Sequence, residues 1–409
     1  MKRKLENGLT YYLYNVKEKD EMVYISLALN IGSIVEDKNK RGLAHFVEHM
    51  CLGFDLEVLQ LKRVYSDVFG RTDFNETVFV LKSDTYNIFN CLKLLKEIIL
   101  GNTLKYENLD KVKKDVLKEY NLQKNKFDFR NNLFKNMLAE TERFGEIPIG
   151  NEFDIINFKY EDVIGFFSKW YNINNMSIII VGDFDVLMIE KFIRKEFLYI
   201  KNSSIINQVK RNNLYIQNIN KVNEPECDIY CNSDRNIIYK YFFNEKKEKD
   251  IYEIYRSKLL SDICMSLLEK YFYKILYLNN CNFQDIFILN SDIGIYLEYY
   301  LIFVSCYSKR DMHNCKSTLD RVFNQLDNIV FSDDIIRDEI KMYIAKINYN
   351  YYKSSQNIDL LSILDQLILS FIKNTPFMDL NKEYDFIIKI LENVLPLDVN
   401  EHLQLLYKS

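Results

Sequence analysis

The chain has 409 residues, 48% of them hydrophobic and 27% charged, with 54 basic against 58 acidic side chains and a net charge of −4. That length allows two or more domains with cores of their own. The interleaved charges exclude the basic footprint of a nucleic-acid binder, and no apolar run reaches the roughly 18 residues needed to span a membrane.

In chain order, Leu9 to Tyr14 and Met22 to Leu29 are rich in β-formers and flank a charged turn, Lys17 to Glu21, which predicts an antiparallel pair. A helix is expected over Lys40 to Leu52, entered through Asn39. Arg63 to Phe69 and Thr77 to Lys82 predict two more strands. Helices are expected at about 84–99, 105–125, 130–140 and Glu161 to Tyr171, then a short apolar strand, Met176 to Val181, and a helix, Val186 to Phe197. Residues 199–215 are polar and aperiodic, as in a linker. Beyond them, a long helix at about 248–277, strands at 283–289 and 296–306, helices at 311–328 and 333–353, and a helical region from Leu360 repeat the earlier order of elements. Mixed strands and helices with hairpin-like pairs predict an α+β protein of two related lobes, residues 1–200 and 216–409.

The first helix carries His45-Phe46-Val47-Glu48-His49. Positions i and i+4 stack on one helix face, so both imidazoles can hold one metal ion without strain, and Glu48 lies close to the same face. Two of the chain's four histidines are here; His313 and His402 are isolated. A catalytic zinc takes three protein ligands and leaves an open position for water, whose pKa it lowers to about 7; a neighbouring carboxylate can take the proton and return it to a leaving amine. The order H-x-x-E-H is the inverse of the commoner H-E-x-x-H. The third ligand must come from elsewhere in the chain; Glu119 lies near the end of a helix patterned by Leu109, Val112, Val116 and Leu117, where a glutamate is ordinarily solvated. The eight cysteines (51, 91, 227, 231, 264, 281, 306 and 315) are scattered and read as free thiols of a reducing compartment, with Cys51 as core packing. With no apolar run behind Met1-Lys-Arg-Lys, the cytoplasm is the expected location.

Several stretches in order, covering about residues 7–190, resemble the pitrilysin/insulinase (M16) family of zinc peptidases, which includes the mitochondrial processing peptidases. Gly42-Leu-Ala-His-Phe-Val-Glu-His-Met50 is similar to the family's GLAHFLEHM, and Thr72-Asp-Phe-Asn-Glu-Thr-Val-Phe79 to its TSxDxTVY. Pro148-Ile-Gly-Asn151, Trp170-Tyr-Asn-Ile-Asn-Asn-Met176 and Val181-Gly-Asp-Phe184 are similar to PxGN, YxPxNM and VxGDFD. The resemblance implies two lobes, each an antiparallel-rich sheet packed with helices (LuxS/MPP-like). It implies one Zn2+ per chain on His45, His49 and Glu119, with Glu48 as general base of an endopeptidase acting on short or unfolded peptides, leader-peptide processing among the tasks. In the family the edge strand before TSxDxTVY receives substrate, which makes Phe69 and Gly70 the substrate-binding candidates. The chain departs from the family in four places. The connection between Gly53 and Thr72 is short. Val112 stands where many relatives have an acid, and Phe69-Gly70 replaces Asn-Ala. The stretch Leu267 to Asn279 lacks the Arg, Gly and Tyr of the family's LREKxGLAY. This implies the zinc subunit of a heterodimer whose M16-like partner supplies Arg and Tyr, or a homodimer; the alternative is a catalytically weak or inactive scaffold subunit.

Overall fold

The computed structural model describes residues 1–17, 22–53, 67–122, 147–201, 227–231, 235–245, 250–293, 297–356 and 359–408. The helix expected at 130–140, most of the expected linker and residues 63–66 lie outside them. The chain divides into two compact units, Met1–Tyr215 with Asp359–Phe377, and Ile216–Ile358 with Met378–Ser409.

In the first unit, β1 (Lys2–Lys4), β2 (Thr10–Asn15), β3 (Met22–Leu29), β4 (Asp67–Thr72), β5 (Thr77–Asp84) and β6 (Met176–Gly182) form one sheet in the order β1-β2-β6-β3-β5-β4. All neighbours are antiparallel except β2 and β6, which run parallel. The expected β2–β3 pairing is therefore corrected, because β6 lies between them. The sequence Met176-Ser-Ile-Ile-Ile-Val-Gly182 is buried at every position, and such a strand belongs at the centre of a sheet covered on both faces. The strand expected at Arg63–Phe69 is observed as β4, at the edge and shifted toward the turn where Asp73 N donates to Glu76 O at 2.8 Å. Helices α1 (Leu43–Leu52), α2 (Ile88–Ile99), α3 (109–122), α4 (Glu152–Asn157), α5 (Tyr160–Trp170) and α6 (Val186–Phe197) complete this part of the unit.

The second unit is built on β7 (Asp228–Cys231), β8 (Asn236–Glu245), the 28-residue α7 (Ile251–Leu278), β9 (Asp285–Ile293), β10 (Leu297–Ser305), α8 (Lys309–Phe323) and α9 (Asp333–Gln356). Its sheet is antiparallel in the order β7-β8-β10-β9. Ile263, Cys264, Leu268 and Phe272 of α7 share its core with Ile238, Tyr300, Ile302 and Val304. Two α+β lobes, each a sheet with helices, match the expected fold class.

Helix α10 (Leu360–Lys373) does not stay with its neighbours in sequence, α9 before it and α11 (Leu380–Leu391) and α12 (Pro396–Lys408) after it. It packs on β3 and β6 of the first sheet. The sequence places these residues in the second lobe, but an apolar helix face does not reveal which sheet it will meet. The row Arg71–Val78–Ala28–Ser177 crosses four strands on one sheet face, and small residues at its centre admit a helix closely. Leu364, Leu367 and Ile368 are buried there, each worth about 1.5–3 kcal/mol. An ion pair from Arg71 to Asp365 at 2.7 Å, with both side chains over a third exposed, adds about 1 kcal/mol at most. Burial docks α10, and the ion pair fixes where it sits along the edge strand.

Candidate active site

Helix α1 starts three residues later than the sequence suggests, and Asn39 is not its cap. Gly42 precedes it at φ 89°, with no side-chain cap of its own; a Cβ here would lie 2.4 Å from Ile149 O. The carboxylate of Glu36 takes the place of a cap. Gly42 N donates to Oε2 at 2.9 Å and Ala44 N to Oε1 at 2.7 Å, which satisfies two of the donors a helix start leaves open and sets a negative charge at its positive end. Leu43, Ala44, Phe46, Val47, Met50 and Cys51 are buried, so the helix is anchored on its apolar sides and His45, Glu48 and His49 share the remaining one.

Helix α3 brings Glu119 to them. Val112 and Val116 are buried at 2% and 0% exposure, and Val112 Cγ2 lies against Gly53 at the end of α1. The position where an acid was expected is thus a packing position. His45 Nε2 and His49 Nε2 are 3.2 Å apart, and Glu119 Oε2 lies 3.6 Å from the first and 3.3 Å from the second. Ligands about 2.05 Å from one tetrahedral ion lie about 3.3 Å from each other. The three donors therefore already stand at the edges of a zinc tetrahedron, and among the described residues no other group of three His, Cys, Asp or Glu side chains converges in this way. Two imidazoles and a carboxylate are a donor set suited to zinc. Cys51 does not join them: it is fully buried, and burial holds its thiol far above the ordinary range.

Glu48 lies beside this set, with Oε2 4.0 Å from His45 Nε2. Its seat is made by β4. Thr72 Oγ1 donates to Oε2 at 3.1 Å, and a Cβ on Gly70 would fall 2.0 Å from Oε1, so the carboxylate occupies the space a side chain at position 70 would take. Side chains alternate along a strand. Gly70 and Thr72 thus face Glu48, while Phe69 and Arg71 face the side on which α10 lies. Of the two substrate candidates, Gly70 adjoins the site through Glu48 and Phe69 points away from it. The parts Gly70, Thr72 and Glu36 play are not legible from the motif. Thr72 and Gly70 had one signal, their two-residue spacing on a strand next to the quoted TSxDxTVY match.

Burial, followed by the charge of His49, lowers the pKa of His45 to about 4 against the weaker pull of Glu119, so His45 is a neutral ring with a free lone pair at pH 7. Burial likewise raises Glu48 to about 7, opposed by His49 and the Thr72 hydrogen bond. For His49 burial is a downward influence, but it is outweighed by the hydrogen bond the ring donates to Glu119 and the charges of Glu48, Glu119 and Asp115, and the pKa rises. Perturbation of this kind, in a carboxyl next to converging metal donors, is characteristic of reactive sites.

The stretch Leu267 to Asn279 lies in α7 and the turn after it. Leu267, Leu268, Phe272 and Leu276 are core residues, whereas Tyr273 and Tyr277 are exposed at 57% and 71%. Its aromatics serve the core and the surface of the second unit.

Comparison with known proteins agrees with this architecture. A family model described as "Insulinase (Peptidase family M16)" matches residues 11–149, and one described as "Peptidase M16 inactive domain" matches residues 157–345. A probable zinc protease PqqL of Haemophilus influenzae is 28% identical over 284 residues, which cover 65% of this chain and 30% of that protein. The crystal structure of the periplasmic protease PqqL from Escherichia coli superposes over the whole of this chain and 46% of its own, with a TM-score of 0.81 at 20% identity. The structure of the first half of the same protease gives 0.78 at 19% identity, over 100% of this chain and 89% of that one. The chain spans less than half the length of these full-length relatives. Its two matched domains account for most of its residues, and it belongs to the M16 (insulinase) family of peptidases.

Proposed function

We propose that this chain is the metal-bearing half of a zinc-dependent endopeptidase that hydrolyses short or unfolded peptides. The observation that carries the reading is the set of separations among His45, His49 and Glu119, 3.2–3.6 Å, with a buried carboxyl, Glu48, beside it. Zinc held by these three residues would polarise the scissile carbonyl and make a water acidic enough to lose a proton near neutral pH. Glu48 accepts that proton and delivers it to the departing amine. Thr72 and Gly70 keep its carboxylate on the site side of β4, and the apolar sides of α1 keep His45 and Glu48 out of bulk water. Among the described residues strand β4 has β5 as its one sheet partner, so its outer edge can take an extended peptide as a further strand, bound through main-chain groups that every peptide has.

The chain matches the first half of a protease about twice its length, and its α7 carries no arginine in the stretch expected to bind substrate. The absent arginine supports a second M16-like half, proposed here as a second subunit, that completes the substrate site. Metal analysis and single substitutions test the reading. The purified chain should hold about one zinc, His45→Ala should lose it, and Glu48→Gln should keep it. A wild-type chain without zinc would overturn the metal centre; robust cleavage by this chain alone would overturn the two-subunit requirement.

A further inference from the structure

We infer that Arg71 and Asp365 are positioning residues, and that α10 sets the seat of Glu48 from the far end of the sequence through the edge strand. Among the described residues, strand β4 pairs with β5 on one side only. It therefore has half the ladder of an inner strand, and its position depends more on side-chain ties. Three successive residues of β4 matter. Gly70 and Thr72 form the wall and the hydrogen bond that hold the Glu48 carboxylate. Arg71, between them, emerges on the opposite face and uses its guanidinium in two directions. Nε meets Glu76 Oε1 at 3.2 Å, bracing the β4–β5 turn, and Nη1 meets Asp365 Oδ1 at 2.7 Å on α10. Two further ties of its segment lie away from β4: Asn30 Nδ2 donates to Ile372 O at 3.5 Å, and the ring of Phe377 packs edge-on against Tyr14.

The metal donors are placed differently. His45 and His49 are on α1 and Glu119 on α3, and neither helix carries Arg71 or Asp365. Loosening the Arg71–Asp365 tie lets β4 shift with Thr72 and Gly70 and moves the base, while the metal donors stay in place. The segment 359–377 is preceded and followed in sequence by the second unit, so the chain uses one of its late helices to set an early catalytic strand.

The test compares full-length wild type, Asp365→Asn and Asp365→Glu by amide hydrogen exchange, zinc titration and peptide cleavage, the last resting on the peptidase reading. Asp365→Asn should speed exchange of the β4 amides bonded to β5 by up to about five-fold, the most a half-exposed ion pair supports, leaving β3, β6 and α1 protected. It should leave zinc affinity within two-fold of wild type and lower kcat by about ten-fold, as expected for a base displaced by a fraction of an ångström, with any rise in KM reporting the substrate edge of the same strand. Asp365→Glu should restore most of both effects. Unchanged exchange in β4, unchanged kcat despite faster exchange, or a loss of protection spread over the whole sheet with loss of zinc would each overturn the inference. A zinc-loaded wild type without turnover in the presence of the completing subunit would count against the peptidase reading alone, and the exchange comparison then decides the coupling.

Discussion

Glu48→Gln separates three properties of the site in one substitution. The side chain is 4% exposed, and burial raises its carboxyl from 4.5 to about 7, which corresponds to about 3 kcal/mol against the ionised form. The folded-state value lies above the unfolded one, so Glu48 contributes most to stability below pH 4.5, and that contribution is lost as the pH rises through 7. In the metal-free protein at pH 8, glutamine should therefore raise stability by about 2–3 kcal/mol, since it fits the same seat without a charge. At pH 4.5 the gain should vanish. With zinc bound, the three ligand atoms are untouched and stoichiometry should stay at about one, while turnover falls by about 10²–10⁴ because the proton acceptor is gone. Urea denaturation of the chelated protein at the two pH values, metal analysis, and cleavage of a quenched fluorescent peptide pool with the completing subunit read the three properties. Equal stability of variant and wild type at pH 8 would refute the burial argument, and turnover within ten-fold of wild type would refute the role of base.

Gly70→Val should leave zinc in place and cut kcat by roughly 10–100-fold, because its Cβ would stand 2.0 Å from Glu48 Oε1 and a displaced base is costly; titrating zinc into the variant and timing its cleavage checks both parts. Glu36→Gln should cost about 1–3 kcal/mol, since one of the two donors it now satisfies, Gly42 N or Ala44 N, loses its acceptor in a buried place; a fall in the thermal midpoint with weaker zinc binding is the expected reading. In the metal-free protein His45, with its pKa lowered from 6.5 to about 4, contributes stability that is complete above pH 6.5 and is lost as the pH falls through 4, up to about 3 kcal/mol. His49, shifted upward, works in the other direction: its contribution is complete below pH 6.5 and is lost as the pH rises through its folded-state value, so His49→Phe should remove that fall on the alkaline side, measured by chemical denaturation.

The donor set was legible because its logic is local. Spacing of three and four on one helix places His45, Glu48 and His49 together without knowledge of the rest of the molecule, and the apolar period at Val112 and Val116 turns Glu119 toward α1. The core strands β3 and β6 were legible for the same reason, as apolar runs between polar turns. What the sequence could not show depends on contacts made across the fold. The cap on α1 comes from Glu36, six residues before Gly42, because a carboxylate can reach two amides that Asn39 cannot. The β2–β3 hairpin failed because β6, distant in sequence, competes better for the central slot. Helix α10 was assigned to the wrong lobe since its apolar face fits any sheet with small residues at its centre.

Those supports also bear on whether the chain works as an enzyme or as a scaffold. A scaffold needs the fold, and α1 would be as well packed with glutamine or leucine at position 48. A carboxyl buried to 3% exposure costs about 3 kcal/mol once ionised, comparable to a large part of a domain's net stability. Here that cost is accompanied by Thr72, which favours the ionised form, and by a bare Gly70 that makes room for it. None of these features strengthens the core, and together they hold a proton acceptor beside three convergent metal donors. The physical balance favours a site maintained for proton transfer, and the stability gained by Glu48→Gln at pH 8 measures directly how much the fold gives up to keep it.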